Sequence, residues 1–160
     1  MRSGERRGSL NGEGNPFVIL LADDDADDRE MIQKALKSRL PIELRFVSDG
    51  EELLEYLHRT GKFSAALSSP APQLILLDLN MPRKDGWEAL AEIKAAPELR
   101  TIPVVVMTTS KAELDIAKTY DLGASSFICK PVTLARLTEV MQVLSEYWFR
   151  IVMLPAAHGQ

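Results

Sequence analysis

Two uninterrupted apolar runs each end in carboxylates: Phe17–Ala22 leads into Asp23 and Asp24, and Leu74–Leu77 leads into Asp78. A short continuous apolar run between polar residues predicts a strand buried on both faces, as in parallel sheets covered by helices on either side. A carboxylate at the C-terminal end of such a strand lies on the rim where open α/β sheets hold their ligands. If the two strands are neighbours, three carboxylates converge on one point. Like charges do not share a dry site without a proton or a cation. The pattern therefore predicts a divalent metal site, and oxygen-only ligands favour Mg²⁺, Mn²⁺ or Ca²⁺ over Zn²⁺.

The remaining segments supply what such a sheet needs. Residues 1–16, rich in Gly, Ser and Asn, read as a flexible arm. Asp27 and Asp28 fall in the first turn of a helix whose apolar stripe is Met31, Ile32, Ala35, Leu36 and Leu40. Ile42–Val47 alternates apolar and charged residues, as an edge strand does. Ser48 and Glu51 suggest a capping box for a helix carrying Leu53, Leu54 and Leu57, ended by Gly61. Residues 62–73 read as a long surface loop.

Beyond the strand at 74–78, Trp87, Leu90, Ala91 and Ile93 give the next helix its buried face. Val104–Met107 is a fourth strand, ending at Thr108-Thr109-Ser110. A helix over about 112–122 stops at Gly123. Ser126–Cys129 is a fifth strand, closed by Lys130-Pro131, and a last helix over about 132–149 carries Leu134, Leu137, Met141, Leu144 and Trp148. Five strands alternating with five helices predict an α/β fold, a doubly wound parallel sheet with right-handed crossovers. In the flavodoxin-like order 2-1-3-4-5, the first and third strands flank the switch point.

Composition narrows the partners. A net charge of -4 argues against nucleic acid, since phosphate contacts need clustered Lys and Arg. The only basic cluster is Arg2, Arg6 and Arg7 in the arm. No apolar stretch approaches the length of a membrane span, and the N-terminus lacks a signal-peptide core. A single cysteine fits a reducing cytosol. These features describe a cytoplasmic single domain with neither membrane nor nucleic acid as partner.

Four of the five strands end in residues suited to phosphoryl chemistry: Asp23 and Asp24, Asp78, Thr108, and Lys130. An aspartate can attack phosphorus to form an acyl phosphate. A metal and a lysine would offset charge on the transferring oxygens, and a threonine would hydrogen-bond one of them. Singly, each residue has a plainer explanation. Any of Asp23, Asp24 or Asp25 can cap the helix that follows, Thr108 can be a structural hydroxyl, and Lys130 can be a solvated strand end. Their joint occurrence at one end of successive strands is what favours chemistry.

Asp23-Asp24, then Leu-Leu-Asp78-Leu-Asn80-Met-Pro82-x-x-Asp-Gly86, then Thr108, then Lys130-Pro131 together resemble the response-regulator receiver domain of two-component signalling. The resemblance covers residues 17–149 and leaves 150–160 as an apolar C-terminal extension. It implies that Asp78 is the phosphoacceptor, served by a histidine on a sensor kinase or a phosphotransfer protein. It further implies Mg²⁺ held directly by Asp24 and Asp78, through the Asn80 backbone carbonyl, and through water by Asp23. Thr108 and Lys130 would contact phosphoryl oxygens. The switch residue of that family falls on Phe127, where many members have tyrosine, so the inward state here lacks a hydroxyl to fix it. Thr109 should border the phosphorylation pocket.

No output domain follows residue 149 in this chain, so the expected output is association. Val140, Val143 and Tyr147 lie beside the core stripe of the last helix, and Phe149, Ile151 and Leu154 prolong its apolar character. These six residues are the expected homodimer interface; the competing expectation is that the tail folds back on its own domain. The tail and the 62–73 loop resemble the single-domain regulators that partner bacterial phytochrome kinases. A haloacid dehalogenase-type phosphatase also uses an aspartate nucleophile with Mg²⁺, but it expects a second aspartate where Asn80 stands. A degenerate receiver that binds partners without phosphorylation is the third reading.

Overall fold

The computed structural model describes residues 15–36, 40–65 and 68–155, so most of the expected arm and the last five residues lie outside the described residues. In chain order the elements are β1 (Phe17–Ala22), α1 (Ala26–Ala35), β2 (Ile42–Val47), α2 (Gly50–His58), β3 (Leu74–Leu77), α3 (Gly86–Ala95), β4 (Val104–Thr108), α4 (Glu113–Asp121), β5 (Ser126–Cys129) and α5 (Leu134–Glu146). A 3₁₀ turn at Gly61–Phe63 follows α2, and a π-helical turn at Tyr147–Ile151 follows α5. The five strands form one sheet in the order β2-β1-β3-β4-β5, every pair parallel, as the sequence predicts.

Alternation along each strand divides the core into two layers. On one side Leu20, Ala22, Ile75, Leu77, Val104 and Val106 pack against Leu53 and Leu54 of α2 and Leu90 and Ile93 of α3. On the other, Ile19, Leu21, Leu74, Leu76, Val105 and Met107 pack against Ile32 and Ala35 of α1 and Leu137 and Met141 of α5. Both faces of β1, β3 and β4 are thus consumed by packing, which is why their sequences are apolar without interruption. The edge strand β2 is only partly buried over its first five residues.

Local details depart from expectation where a competing cap is stronger. The N-cap of α2 is Asp49, not Ser48: its carboxylate accepts the Glu52 N–H at 2.8 Å, and the Glu52 side chain accepts the Ser48 N–H at 2.7 Å. That helix ends at His58, with Arg59 rather than Gly61 taking the left-handed cap at φ 55°. In α3 the buried face is Gly86, Ala89, Leu90 and Ile93, and Ala91 is exposed. β4 runs one residue further than expected, through Thr108.

The expected dimer face needs one correction. The π-helical turn inserts an extra residue into the helical repeat and rolls Phe149 inward. Its ring is only 5% exposed and stacks on Phe17 with centroids 4.3 Å apart. Phe149 therefore belongs to the core of its own domain. Val140 and Leu154 are partly buried against the same layer. Val143, Tyr147 and Ile151 remain at the surface, 67%, 47% and 69% exposed.

Candidate functional site

Parallel register brings the chemistry together. Ala22 pairs with Leu77, so Asp23 and Asp78 leave their strands at the same level, and the Asp78 N–H donates to the Ala22 carbonyl at 3.0 Å. Thr108 pairs with Cys129, and the Lys130 N–H donates to the Thr108 carbonyl at 2.8 Å. Carboxylate, hydroxyl and ammonium are thus delivered to one rim by backbone hydrogen bonding alone.

Asp23 is 1% exposed. One carboxylate oxygen accepts the Asp25 N–H at 2.9 Å and the other accepts the Lys130 ammonium at 2.9 Å. Burial holds the Asp23 carboxyl above its ordinary pKa; the Lys130 and Asp25 hydrogen bonds and the lysine charge pull it down without prevailing, and the Asp78 charge adds to the rise. Lys130 also donates to Asp28 at 2.8 Å and to Asp78 at 3.1 Å. Burial disfavours the ammonium, but the hydrogen bonds to Asp28 and Asp23 and the charges of Asp78 and Asp23 outweigh it. The result is a raised pKa and a lysine that stays charged.

The plainer role considered for the first aspartates falls to Asp25 alone: it is the N-cap of α1, accepting N–H groups from Asp27 at 2.8 Å and Asp28 at 3.2 Å. Asp24 is left facing solvent. One carboxylate oxygen from each of Asp23, Asp24 and Asp78 lies within 4.8 Å of the others. Two buried carboxylates and one exposed one make an oxygen-only donor set with an open side, which fits a hard divalent cation that keeps part of its water. Asn80 is exposed and meets the site through its main chain, its N–H 3.4 Å from Asp78 Oδ1.

Thr108 is fully buried, and its Oγ1 has no hydrogen-bond partner among the described residues. A buried hydroxyl in a folded core is nearly always satisfied, so an orphan at this rim fits a site that receives an oxygen-rich group. Gly86 is obligatory in the same region: a Cβ there would stand 2.3 Å from the Asp78 carbonyl oxygen. Phe127 is half-buried against the α2–α3 layer, and its N–H donates to the Tyr120 hydroxyl at 3.1 Å. Thr109 lines a cavity of about 240 Å³ with Asp28, Met107 and Lys130, which places it beside the rim. Asp28 is the one member that sequence reasoning missed. Its position in the first turn of a helix already has a sufficient explanation in the helix dipole, and nothing local announces a lysine about a hundred residues away.

The fold and this rim define a response regulator receiver domain: residues 19–142 match that family, and the chain belongs to it. It is 42% identical to response regulator Rcp1 of Synechocystis over 92% of this chain and all of that protein. Among solved structures it is similar to the phosphorylated cyanobacterial phytochrome response regulator RcpA, at 42% identity and a TM-score of 0.82, covering 88% of this chain and 99% of that one. It is equally similar in sequence to the Mn²⁺-bound form of Rcp1, at 42% identity and a TM-score of 0.80, covering 88% of this chain and all of that one. The chain is thus a response regulator homologous to phytochrome response regulators. Receiver domains bind a divalent metal and work with histidine kinases. No helix among the described residues is long and apolar enough to cross a membrane.

Proposed function

We propose that Asp78 accepts a phosphoryl group from a phosphohistidine on a sensor kinase, in a Mg²⁺-dependent reaction, and that the modified protein signals by changed association with proteins. The observation that carries this reading is the meeting of Lys130 with Asp78 and Asp23 beside the unpartnered hydroxyl of Thr108. Asp23, Asp24 and Asp78, with the Asn80 backbone carbonyl, would hold the ion. When bound, it would supply positive charge to the transferring oxygens and to the crowded carboxylates.

An Asp78 oxygen attacks phosphorus, the phosphorus–nitrogen bond of the donor breaks, and the electron pair returns to the imidazole, which takes up a proton. Lys130, already at hydrogen-bond distance from Asp78, balances charge that moves onto the phosphoryl oxygens. Thr108 Oγ1 donates to one of those oxygens and gains the partner it lacks. Water reverses the modification, so the only reactions promoted are the protein's own phosphorylation and dephosphorylation.

Similarity to Rcp1 and RcpA supports a phytochrome histidine kinase as the donor, and a cytoplasmic protein is the matching setting. Association between two copies runs through the exposed stripe of Val143, Tyr147 and Ile151, with Val140 and Leu154 at its margin. Incubation with acetyl phosphate and Mg²⁺ tests the assignment. The parent gains one phosphoryl mass and Asp78→Asn gains none while keeping its circular dichroism. A phosphorylated Asp78→Asn protein overturns the assignment, and phosphotransfer profiling against purified kinases identifies the donor.

A further inference from the structure

The segment that follows the phosphoacceptor is tied to a neighbouring turn by contacts that the chemistry above does not use. Asp49, at the junction of β2 and α2, is a buried carboxylate with two separate employments. Oδ1 accepts the Glu52 N–H at 2.8 Å, which caps α2 and is all that the helix requires. Oδ2 accepts the Arg83 guanidinium, through Nε at 2.9 Å and through a terminal nitrogen as well. The next residue repeats the connection in the backbone: the Gly50 N–H donates to the Lys84 carbonyl at 2.9 Å. A Cβ at Gly50 would stand 2.3 Å from that carbonyl oxygen, so only glycine lets the two segments approach so closely.

Arg83 adopts φ 65°, a left-handed conformation that side chains with a Cβ rarely hold. Such a conformation persists where its surroundings over-determine it. Here the surroundings are the buried Asp49 carboxylate on one side and the Lys84 carbonyl, held by Gly50, on the next residue. At the far end, the Gly86 N–H donates to the Leu79 carbonyl at 2.9 Å. Leu79 and Met81 are buried in the α2–α3 layer, so Asn80, between them, is the residue left at the surface beside Asp78.

We propose that Asp49 and Arg83 form a clamp that positions the 79–85 segment, and with it Asn80 and Asp78, for binding the divalent ion. This rests on the metal-binding reading given above. A hard cation requires its oxygen donors at fixed separations. Partners that merely orient the ligands commonly govern affinity by 10-fold or more. Arg83 is a positioning residue: it touches neither the ion nor the phosphoryl group, and it acts through the backbone of its own loop.

Arg83→Gly tests the clamp, because it removes the guanidinium while easing the positive φ, and the Arg83 side chain is mostly exposed. The variant is expected to melt below the parent, because the buried Asp49 carboxylate loses its cation, with the eased positive φ offsetting part of that loss. Its Mg²⁺ dissociation constant, measured by calorimetry on the whole chain, rises about 10-fold. In the metal-free protein, amide exchange at residues 80–85 accelerates. Arg83→Lys keeps a cation near Asp49 and recovers part of the affinity. Asp49→Asn keeps a cap acceptor for α2 but weakens the hold on Arg83, and it too binds Mg²⁺ less tightly. A folded Arg83→Gly protein with parental Mg²⁺ affinity and unchanged exchange overturns the clamp. A parent that binds no divalent ion overturns the metal reading, and the clamp with it.

Discussion

The Lys130 ammonium lies 2.9 Å from the buried Asp23 carboxylate, across 107 residues of chain. The same nitrogen reaches Asp28 and Asp78, so a single cation serves three carboxylates. The sheet order makes this possible. β1 and β3 are neighbours, and β5, one strand beyond β4, is close enough for a lysine side chain to span the gap. In the proposed reaction, a phosphoryl group arriving on Asp78 would enter a site whose cation already touches the acceptor.

Removing that cation leaves buried carboxylates without compensation. Lys130→Met is therefore expected to lower stability by about 3 kcal/mol in metal-free buffer, as breaking a buried pair from one side does. Mg²⁺ bound as proposed would replace part of the missing charge. The variant should thus gain more in melting temperature on adding Mg²⁺ than the parent does. Thermal melts of both proteins with and without Mg²⁺ measure the difference.

Thr108 carries the opposite trade. A buried hydroxyl without a partner costs about 1–3 kcal/mol of desolvation, and an apolar group of the same shape avoids that cost. Thr108→Val is expected to raise the stability of the unphosphorylated protein by about 1 kcal/mol. The phosphorylated variant loses the hydrogen bond proposed above, so phosphorylation should raise its melting temperature less than it raises the parent's. Paired melts before and after treatment with acetyl phosphate supply both numbers.

Much of this was legible in the sequence because parallel α/β architecture writes itself in long signals. The runs at 17–22, 74–77 and 104–107 are apolar on both faces, and that pattern has few readings other than central strands. Once the strand order is assumed, Asp23, Asp78, Thr108 and Lys130 fall on one rim without further information. What escaped was local competition and long-range pairing. Ser48 and Asp49 are both good caps, and the one that caps α2 is Asp49, whose other carboxylate oxygen is held by Arg83 far along the chain. Asp28 looked like one more helix-start acid because its lysine is distant in sequence. Phe149 reads as interface because it prolongs the apolar run beyond the last helix, whereas a π-helical turn there carries its ring onto Phe17 in the core.

Tyr56 weakens the fold at alkaline pH. Its hydroxyl donates to the Pro70 carbonyl at 2.8 Å, and burial pushes its pKa from 10.0 up to about 12. The unfolded chain releases this proton near pH 10 while the folded chain retains it. Stability from this group is therefore complete below pH 10 and is lost as pH rises toward 12. The loss amounts to about 3 kcal/mol across the interval. Tyr56→Phe should be less stable at pH 7 by about 1 kcal/mol, for the hydrogen bond it lacks, and should decline less steeply above pH 10. Urea unfolding at pH 7, 10 and 11.5 separates the two curves.

The C-terminal segment packs one ring inward and leaves an exposed stripe assigned above to a proposed contact between copies, and two kinds of substitution tell them apart. Phe149 stacks on Phe17 inside the domain, so Phe149→Ala removes packing and should cost about 3 kcal/mol of stability. Val143, Tyr147 and Ile151 are exposed and recur every four residues, which places Val143 and Tyr147 on one helical face with Ile151 a turn beyond. Val143→Glu or Ile151→Lys puts a charge into the proposed contact between two copies without touching the core. Each is expected to halve the mass measured by light scattering while leaving the monomer's fold intact by circular dichroism. If the parent is a dimer and both charged variants keep its mass, the contact lies on another face. Deleting the whole tail is the poorer experiment, because it removes Phe149 together with the surface stripe and confuses loss of folding with loss of association.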